Sequence, residues 1–320
     1  MKSIVLDYAR KNRHTLVAIG ICGILLAIGG ILRPGFSSYK NVLNILSLAS
    51  FLGILAAGQT FAVLSGGEGL DLSVGAVASF SAIVAAHLLG PLNLPLVLVL
   101  LIIMALGAVL GLINGLGITY AQVPPLVMTL GMIGVINGLS LVYSGGQPTG
   151  SATELLQTIS TGRIVGIPWI LVIWLAFIFI VLFVLKRTTF GRALYAVGSN
   201  REAAYISGAR VEIIKILAYS FSGLLSAFGG LMLLGFVQGV QYEMGSSYML
   251  PSVIAVVLGG VSFSGGEGEY FNVVLGAIIL TILTSLLTTL NIGEAGRMLV
   301  NGFILLALLT AFGRAEKMRQ

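Results

Sequence analysis

Few side chains in this sequence could carry out covalent chemistry. It contains two histidines, His14 and His87, one cysteine, Cys22, and eleven acidic residues. The histidines lie far apart, near the ends of apolar runs, and with one cysteine they cannot assemble a zinc site of the usual kind. A single cysteine also allows no internal disulfide. No G-x-x-x-x-G-K-[ST] phosphate loop and no G-x-S-x-G nucleophile elbow is present. Between Lys40 and Arg163 only Glu68, Asp71 and Glu154 are charged. So few carboxylates argue against a proton relay through a membrane.

Three segments nevertheless stand out. The first is Ser65-Gly66-Gly67-Glu68-Gly69-Leu70-Asp71-Leu72-Ser73-Val74-Gly75. Its glycines permit sharp turns, and Asp71 can cap the helix that follows. Two readings stand: a tight helix–helix turn at the interface, or a broken segment at membrane depth beside a translocation path. The second, Ser264-Gly265-Gly266-Glu267-Gly268, repeats the pentapeptide at 65–69. It is either a chance recurrence of a glycine turn or a true internal duplication, and the two copies precede helices of the same direction. The third is the segment Gly198-Ser199-Asn200-Arg201-Glu202-Ala203-Ala204-Tyr205-Ile206-Ser207-Gly208. Ser199 and Glu202 match a capping box, and Gly208 is a good helix stop. The pattern predicts a helix of about two turns over 200–207. Alone it would be marginal in water, so it must dock either on its own bundle or into a soluble partner.

The elements that position these segments follow from composition. Of the 320 residues, 57% are hydrophobic and 9% charged, against roughly 25% charged in soluble proteins. Mean hydropathy is +1.06. The 43 glycines have no three-residue period, which excludes collagen and fits closely packed membrane helices. A span needs about 20 apolar residues. The apolar runs are 14–32, 42–64, 72–89, 94–118, 126–143, 168–185, 216–237, 249–263, 271–290 and 295–312. The expected fold is therefore an all-α polytopic transmembrane bundle of about ten spans, in one domain over 1–320. The run at 249–263 is short enough to be tilted or re-entrant. The first run is longer than a signal-peptide core of roughly 7 to 15 residues and lacks a small-residue cleavage site after it, so it reads as a retained helix.

Basic residues in short loops set orientation. Lys2, Arg10, Lys11 and Arg13 precede the first span; Lys186, Arg187, Arg192, Arg201, Arg210 and Lys215 lie between the sixth and seventh; Arg314, Lys317 and Arg319 follow the last. With ten spans, or eight of the same parity, all three groups share one side. Both termini and a loop at about 186–215 are thus expected in the cytoplasm. The net charge of +6 reads as topology, not as nucleic-acid binding. Tyr39, Tyr143, Trp169 and Trp174 are expected at the outer interface with membrane lipid.

These motifs together resemble the ribose-type permease subunits of bacterial ABC importers. Gly69-Leu70-Asp71-Leu72-Ser73-Val74-Gly75 is similar to that family's G-I-D-L-S-V-G signature. Phe190-Gly191-Arg192-Ala193-Leu194-Tyr195-Ala196-Val197-Gly198-Ser199-Asn200, running on through Glu202-Ala203-Ala204 to Gly208, resembles its cytoplasmic loop and the wider E-A-A-x-x-x-G core. Ile254-Ala255-Val256-Val257-Leu258-Gly259-Gly260 before Ser264-Gly265-Gly266 is similar to its penultimate region. The resemblance covers nearly the whole chain. Here Glu68-Gly69 stands between Gly66-Gly67 and Leu70-Asp71, where the family carries Gly-Gly directly before Ile-Asp.

The resemblance implies a bacterial inner-membrane subunit that is not itself an enzyme and holds no cofactor. ATP and Mg would sit on a separate ABC ATPase. Further partners would be an extracytoplasmic substrate-binding protein and a second permease, identical or related. Gly191, Arg192, Ser199, Asn200, Arg201, Glu202, Ala203, Ala204 and Gly208 are the residues expected at the ATPase contact. A path for a monosaccharide is expected to be lined by small and polar groups, with Gln59, Asp71, Ser73, Asn114, Asn137 and Asn301 as candidates. Each of those could equally be a helix–helix hydrogen bond. The rivals are an ion-coupled secondary carrier, which would need an essential intramembrane carboxylate, and an importer for a signalling furanose, polyol, nucleoside or amino acid.

Overall fold

The structure is a computed structural model and describes residues 13–317. Lys2, Arg10, Lys11 and Arg319, which contribute to the expected orientation, lie outside the described residues. The helices run α1 (Arg13–Leu32), α2 (Tyr39–Leu64), α3 (Val74–Leu89), α4 (Leu96–Thr119), α5 (Pro125–Ser144) and α6 (Glu154–Thr161). A two-stranded antiparallel hairpin, β1 (Arg163–Ile164) and β2 (Ile167–Pro168), leads into α7 (Trp169–Arg187). Then come α8 (Thr189–Ser199), α9 (Arg201–Ile206), α10 (Val211–Val237), a 3-10 turn (Ser246–Tyr248), α11 (Met249–Leu258), α12 (Tyr270–Thr289) and α13 (Glu294–Lys317).

Each of the ten apolar runs carries a helix, and the helices differ in length; in the run at 249–263 the helix stops at Leu258. Seven, on α1, α2, α4, α5, α7, α10 and α12, are long and apolar enough to cross a membrane. Two of the others, α3 and α11, have 16 and 10 residues. At about 1.5 Å per residue they reach roughly 24 and 15 Å, short of a hydrocarbon core of about 30 Å. Both are enclosed by neighbours: almost all of α3 and residues Ser252 to Val257 of α11 are buried. Enclosure allows short helices and irregular backbone at membrane depth, because protein supplies the partners that lipid cannot.

The bundle is organised by α2 and α10. α2 is buried from Ala49 to Leu64. α10 packs on α2, α3 and α4, while α12 packs on α2, α11 and α1. Small residues set these spacings. A Cβ on Gly111 would overlap the carbonyl oxygen of Tyr219, and one on Gly223 would overlap that of Gly107. One on Gly115 would lie 2.7 Å from Ile216 Cα, and one on Gly58 2.8 Å from the Ser222 oxygen. Such close backbones gain dispersion contacts that lipid tails would otherwise supply. The outward faces of α1, α4, α5 and α7 carry exposed Ile24, Leu101, Val142 and Phe183, a surface suited to lipid.

One expected interfacial aromatic is placed differently. Tyr39, Tyr143 and Trp169 are exposed, but Trp174 is buried, its ring lying against Gly53 of α2. The absence of a side chain at Gly53 makes a slot that a sequence pattern does not reveal.

The α4–α10 seam gives a direct test. Gly111→Ala is expected to lower the melting temperature of the detergent-purified protein, at the cost of about 1–3 kcal/mol typical of overpacking. Gly131→Ala, with no atom within 4 Å of the added methyl, is expected not to lower it. Equal melting of the two variants would refute the glycine-set spacing.

Candidate functional site

Two structured regions carry the sequence motifs. The first is the break between α2 and α3. Gly66, Gly67 and Glu68 take left-handed φ values of 77°, 65° and 54°, which turn the chain back into the bundle after α2 ends. Asp71 is then fully buried. Its Oδ1 accepts from the Ser73 N–H at 3.0 Å and the Ser73 hydroxyl at 2.6 Å. Its Oδ2 accepts from the Ser222 hydroxyl of α10 at 2.6 Å. Asn114 of α4 donates through Nδ2 to Ser73 Oγ at 2.9 Å. With its amide oriented to satisfy both groups, Gln59 of α2 donates to the Asp71 carbonyl at 2.8 Å and accepts from the Asp71 N–H at 3.2 Å.

Asp71 does not cap α3 directly, as its position in the sequence suggested. It forms a local side-chain turn onto Ser73, and Ser73 is the residue that precedes the helix. The result is a clasp joining α2, the break, α4 and α10. Hydrogen bonds to the acceptor oxygens compensate for removing a carboxyl group from water. Gln59, Asp71, Ser73 and Asn114 are all fully enclosed and meet here. Asn137 does not: it sits on α5, where Nδ2 donates to Glu243 Oε1 at 3.4 Å. Asn301 lies half-buried on α13, apart from the clasp. Ser222 completes the clasp and was not singled out by the sequence, where it is one small residue in a small-residue run.

The second region is an elbow at one end of the bundle. Thr188 Oγ1 accepts from the Gly191 N–H at 3.1 Å and caps α8. A Cβ on Gly191 would overlap the Leu185 carbonyl, so the α7–α8 corner requires glycine. Arg192 donates to the Arg187 carbonyl at 3.3 Å. Asn200 is extended, ends α8 and caps α9 by accepting from the Ala203 N–H at 2.9 Å. The expected Ser199–Glu202 capping box is therefore not formed, because the chain breaks one residue later than that pattern requires. The helix is Arg201–Ile206. Ala204 packs with Val197 and Val211, which anchors α9 to α8 and α10. Arg201 pairs with Glu212 at 3.6 Å. Gly208, at φ 85°, ends the elbow. Glu202 and Ala203 face outward with Tyr205 and Ile206, which are 67% and 79% exposed.

The two Ser-Gly-Gly-Glu-Gly turns meet at this elbow. The Gly266 N–H donates to the Leu64 carbonyl at 3.1 Å. The Ser199 hydroxyl donates to the Gly266 carbonyl at 3.3 Å, and Tyr195 to that of Gly268 at 2.8 Å. Burial, with Glu269 nearby, pushes the Tyr195 hydroxyl up to about 12, so it remains a donor across ordinary pH. Lys186 pairs with Glu269 at 2.9 Å. Among the described residues, no group of three His, Cys, Asp or Glu side chains could hold a metal ion.

The clasp makes a stability prediction. Asp71→Ala would leave the Ser73 and Ser222 donors without their acceptor, at about 1–3 kcal/mol each. Asp71→Asn keeps one oxygen for Ser73 and is expected to melt between Asp71→Ala and wild type. Wild-type melting of Asp71→Ala in detergent would show that the clasp does not hold the break in place.

Residues 41–309 match the family described as branched-chain amino acid transport system / permease component. The chain is 40% identical over 286 residues to a ribose import permease of Bacillus subtilis, covering 88% of each protein. It is 35% identical over 295 residues to the ribose import permease of Haemophilus influenzae, covering 90% of each. Against the galactose/methyl galactoside import permease of Escherichia coli it is 34% identical over 326 residues, covering 95% of this chain and 94% of the relative. No solved structure matches. With a multi-helix membrane architecture, a family match across most of its length and sequence likeness to relatives along nearly their whole length, the chain belongs to this family of transport permease components.

Proposed function

We propose that this chain is the membrane subunit of a binding-protein-dependent ABC importer for a monosaccharide, working as a pair with a second permease. The full-length likeness to ribose and galactose import permeases carries the reading. The elbow supports it. α9 projects two large apolar side chains, Tyr205 and Ile206, from a capped and anchored helix, a shape suited to a groove on a soluble ATPase. Gly191 and Arg192 fix the corner, Ser199 and Asn200 the break, Arg201 and Ala204 the seating of α9, and Gly208 its end. Glu202 and Ala203 lie on the contacting face. ATP and Mg belong to that partner, and substrate arrives from an extracytoplasmic binding protein. The elbow then faces the cytoplasm, together with both termini, in the bacterial inner membrane.

Transport would proceed by alternating access. A path assembled from uncharged small and polar groups binds a hydroxyl-rich sugar weakly and releases it, selectivity residing in the binding protein. The ion-coupled carrier needs a carboxylate free to take and release an ion. Asp71, enclosed and hydrogen-bonded on both oxygens, is poorly placed for that.

The test is co-purification with the neighbouring ATPase and binding protein, followed by ATP hydrolysis across a sugar panel. A complex stimulated by one loaded binding protein is the expected result. Tyr205→Ala with Ile206→Ala should lower that stimulation about tenfold, the loss of ~1.4 kcal/mol at an interface anchor. A chain that purifies alone and moves solute on an ion gradient overturns the reading.

A further inference from the structure

The geometry points to Gly198 as a positioning residue in a backbone relay. Through it, the α8–α9 elbow moves both Ser-Gly-Gly-Glu-Gly turns, and with them the short helices α3 and α11, as one body. This inference rests on the reading of α9 as the ATPase contact and adds how that contact reaches the translocation elements.

The convergence is made of backbone. A Cβ on Gly198 would overlap both the Leu64 carbonyl oxygen and the Gly266 nitrogen. One on Gly265 would overlap Gly66, and one on Gly66 would lie 3.0 Å from Gly198 Cα. Three chain segments therefore touch without side chains between them, and the Gly266 N–H to Leu64 carbonyl bond fastens two of them. Side chains can change rotamer and absorb a displacement, but backbone in van der Waals contact transmits it. On the elbow side, Tyr195 and Ser199 hold the second turn by hydrogen bonds and Lys186 holds Glu269.

What the turns hold makes the relay functional. The first turn leads into the Asp71 clasp and α3, and the second joins α11 to α12. α3 and the approach to α11 also meet deep in the bundle. A Cβ on Gly75 would lie 2.7 Å from the Gly245 oxygen, and the Gly245 N–H donates to Ser79 Oγ at 2.9 Å. The two short helices are thus joined at two levels, at the elbow and at Gly75. A shift of α8 that moved one turn without the other would have to break both joints.

The experiment uses the permease–ATPase complex reconstituted in liposomes and supplied with the sugar-loaded binding protein. Nitroxide labels replace the exposed Glu68 and Glu267 as cysteines in a Cys22→Ser background, with single-label variants supplying the background from a second copy. Pulsed-resonance distances between the turns should be the same in nucleotide-free and ATP-trapped complexes. Sugar uptake per ATP hydrolysed is measured in parallel. Gly198→Ala should lower uptake per ATP about tenfold, and Tyr195→Phe, which removes one hydrogen bond, about three- to tenfold. ATP hydrolysis and ATPase retention should remain at wild-type level, a separation that a merely structural loss would not give. If Gly198→Ala fails to fold, Tyr195→Phe and the label distances decide. A turn-to-turn distance that changes with nucleotide, or wild-type uptake per ATP in Tyr195→Phe, overturns the relay while leaving the importer reading intact. A wild-type complex that neither assembles nor hydrolyses ATP in response to a loaded binding protein overturns both.

Discussion

A carboxyl group lies enclosed in the apolar bundle, and the hydrogen bonds around Asp71 hold it there. Most of the architecture depends on meeting that demand. An unpaired polar group in a water-free interior costs several kcal/mol, so the donors must arrive together. They come from Ser73 beside the break and Ser222 on α10, with Asn114 on α4 securing Ser73 and Gln59 on α2 holding the Asp71 backbone. Four parts of the chain are thereby set in register around one residue. The same bonds hold an irregular stretch of backbone between α2 and α3, which lipid would not accept.

Glycine makes this arrangement reachable. α10 could not bring Ser222 to Asp71 unless α2 and α4 approached it closely, and Gly58, Gly107, Gly111 and Gly223 allow that approach. Lipid tails are as apolar as leucine, so helices in a membrane gain little from burying apolar surface against each other. Close contact and hydrogen bonding must do that work. The glycine-rich composition and the buried polar clasp are two parts of one solution.

The elbow has the opposite character. α9 is short, capped by Asn200, anchored by Ala204 and tied to α10 by Arg201, and it leaves Tyr205 and Ile206 exposed. Between this exposed helix and the enclosed clasp stand the two repeated glycine turns. The exposed α9, the close-packed backbone at Gly66, Gly198 and Gly265 and the enclosed clasp are thus neighbouring features of one bundle.

The sequence by itself determined much of this. Sparse charge and long apolar runs were enough for an all-α membrane bundle, because hydropathy acts locally and a helix satisfies its own backbone. Gln59, Asp71, Ser73 and Asn114 were legible as candidates, since a polar residue in an apolar run is conspicuous. Ser222 was not, because a serine in a small-residue run looks like packing. Asn137 and Asn301 looked equivalent to Asn114, and only the faces their helices present separate them. Ser199 matched a capping pattern, yet the cap fell to Asn200, because Ser199 is still within α8 and its hydroxyl donates to the Gly266 carbonyl. The two pentapeptides were visible as a repeat, but a one-dimensional pattern cannot say that copies some two hundred residues apart touch. That contact, the enclosure of the short helices α3 and α11 and the slot for Trp174 were decided by tertiary structure. Each depends on where a glycine on one helix leaves room for backbone or a ring from another, and no local signal in the chain encodes that distance.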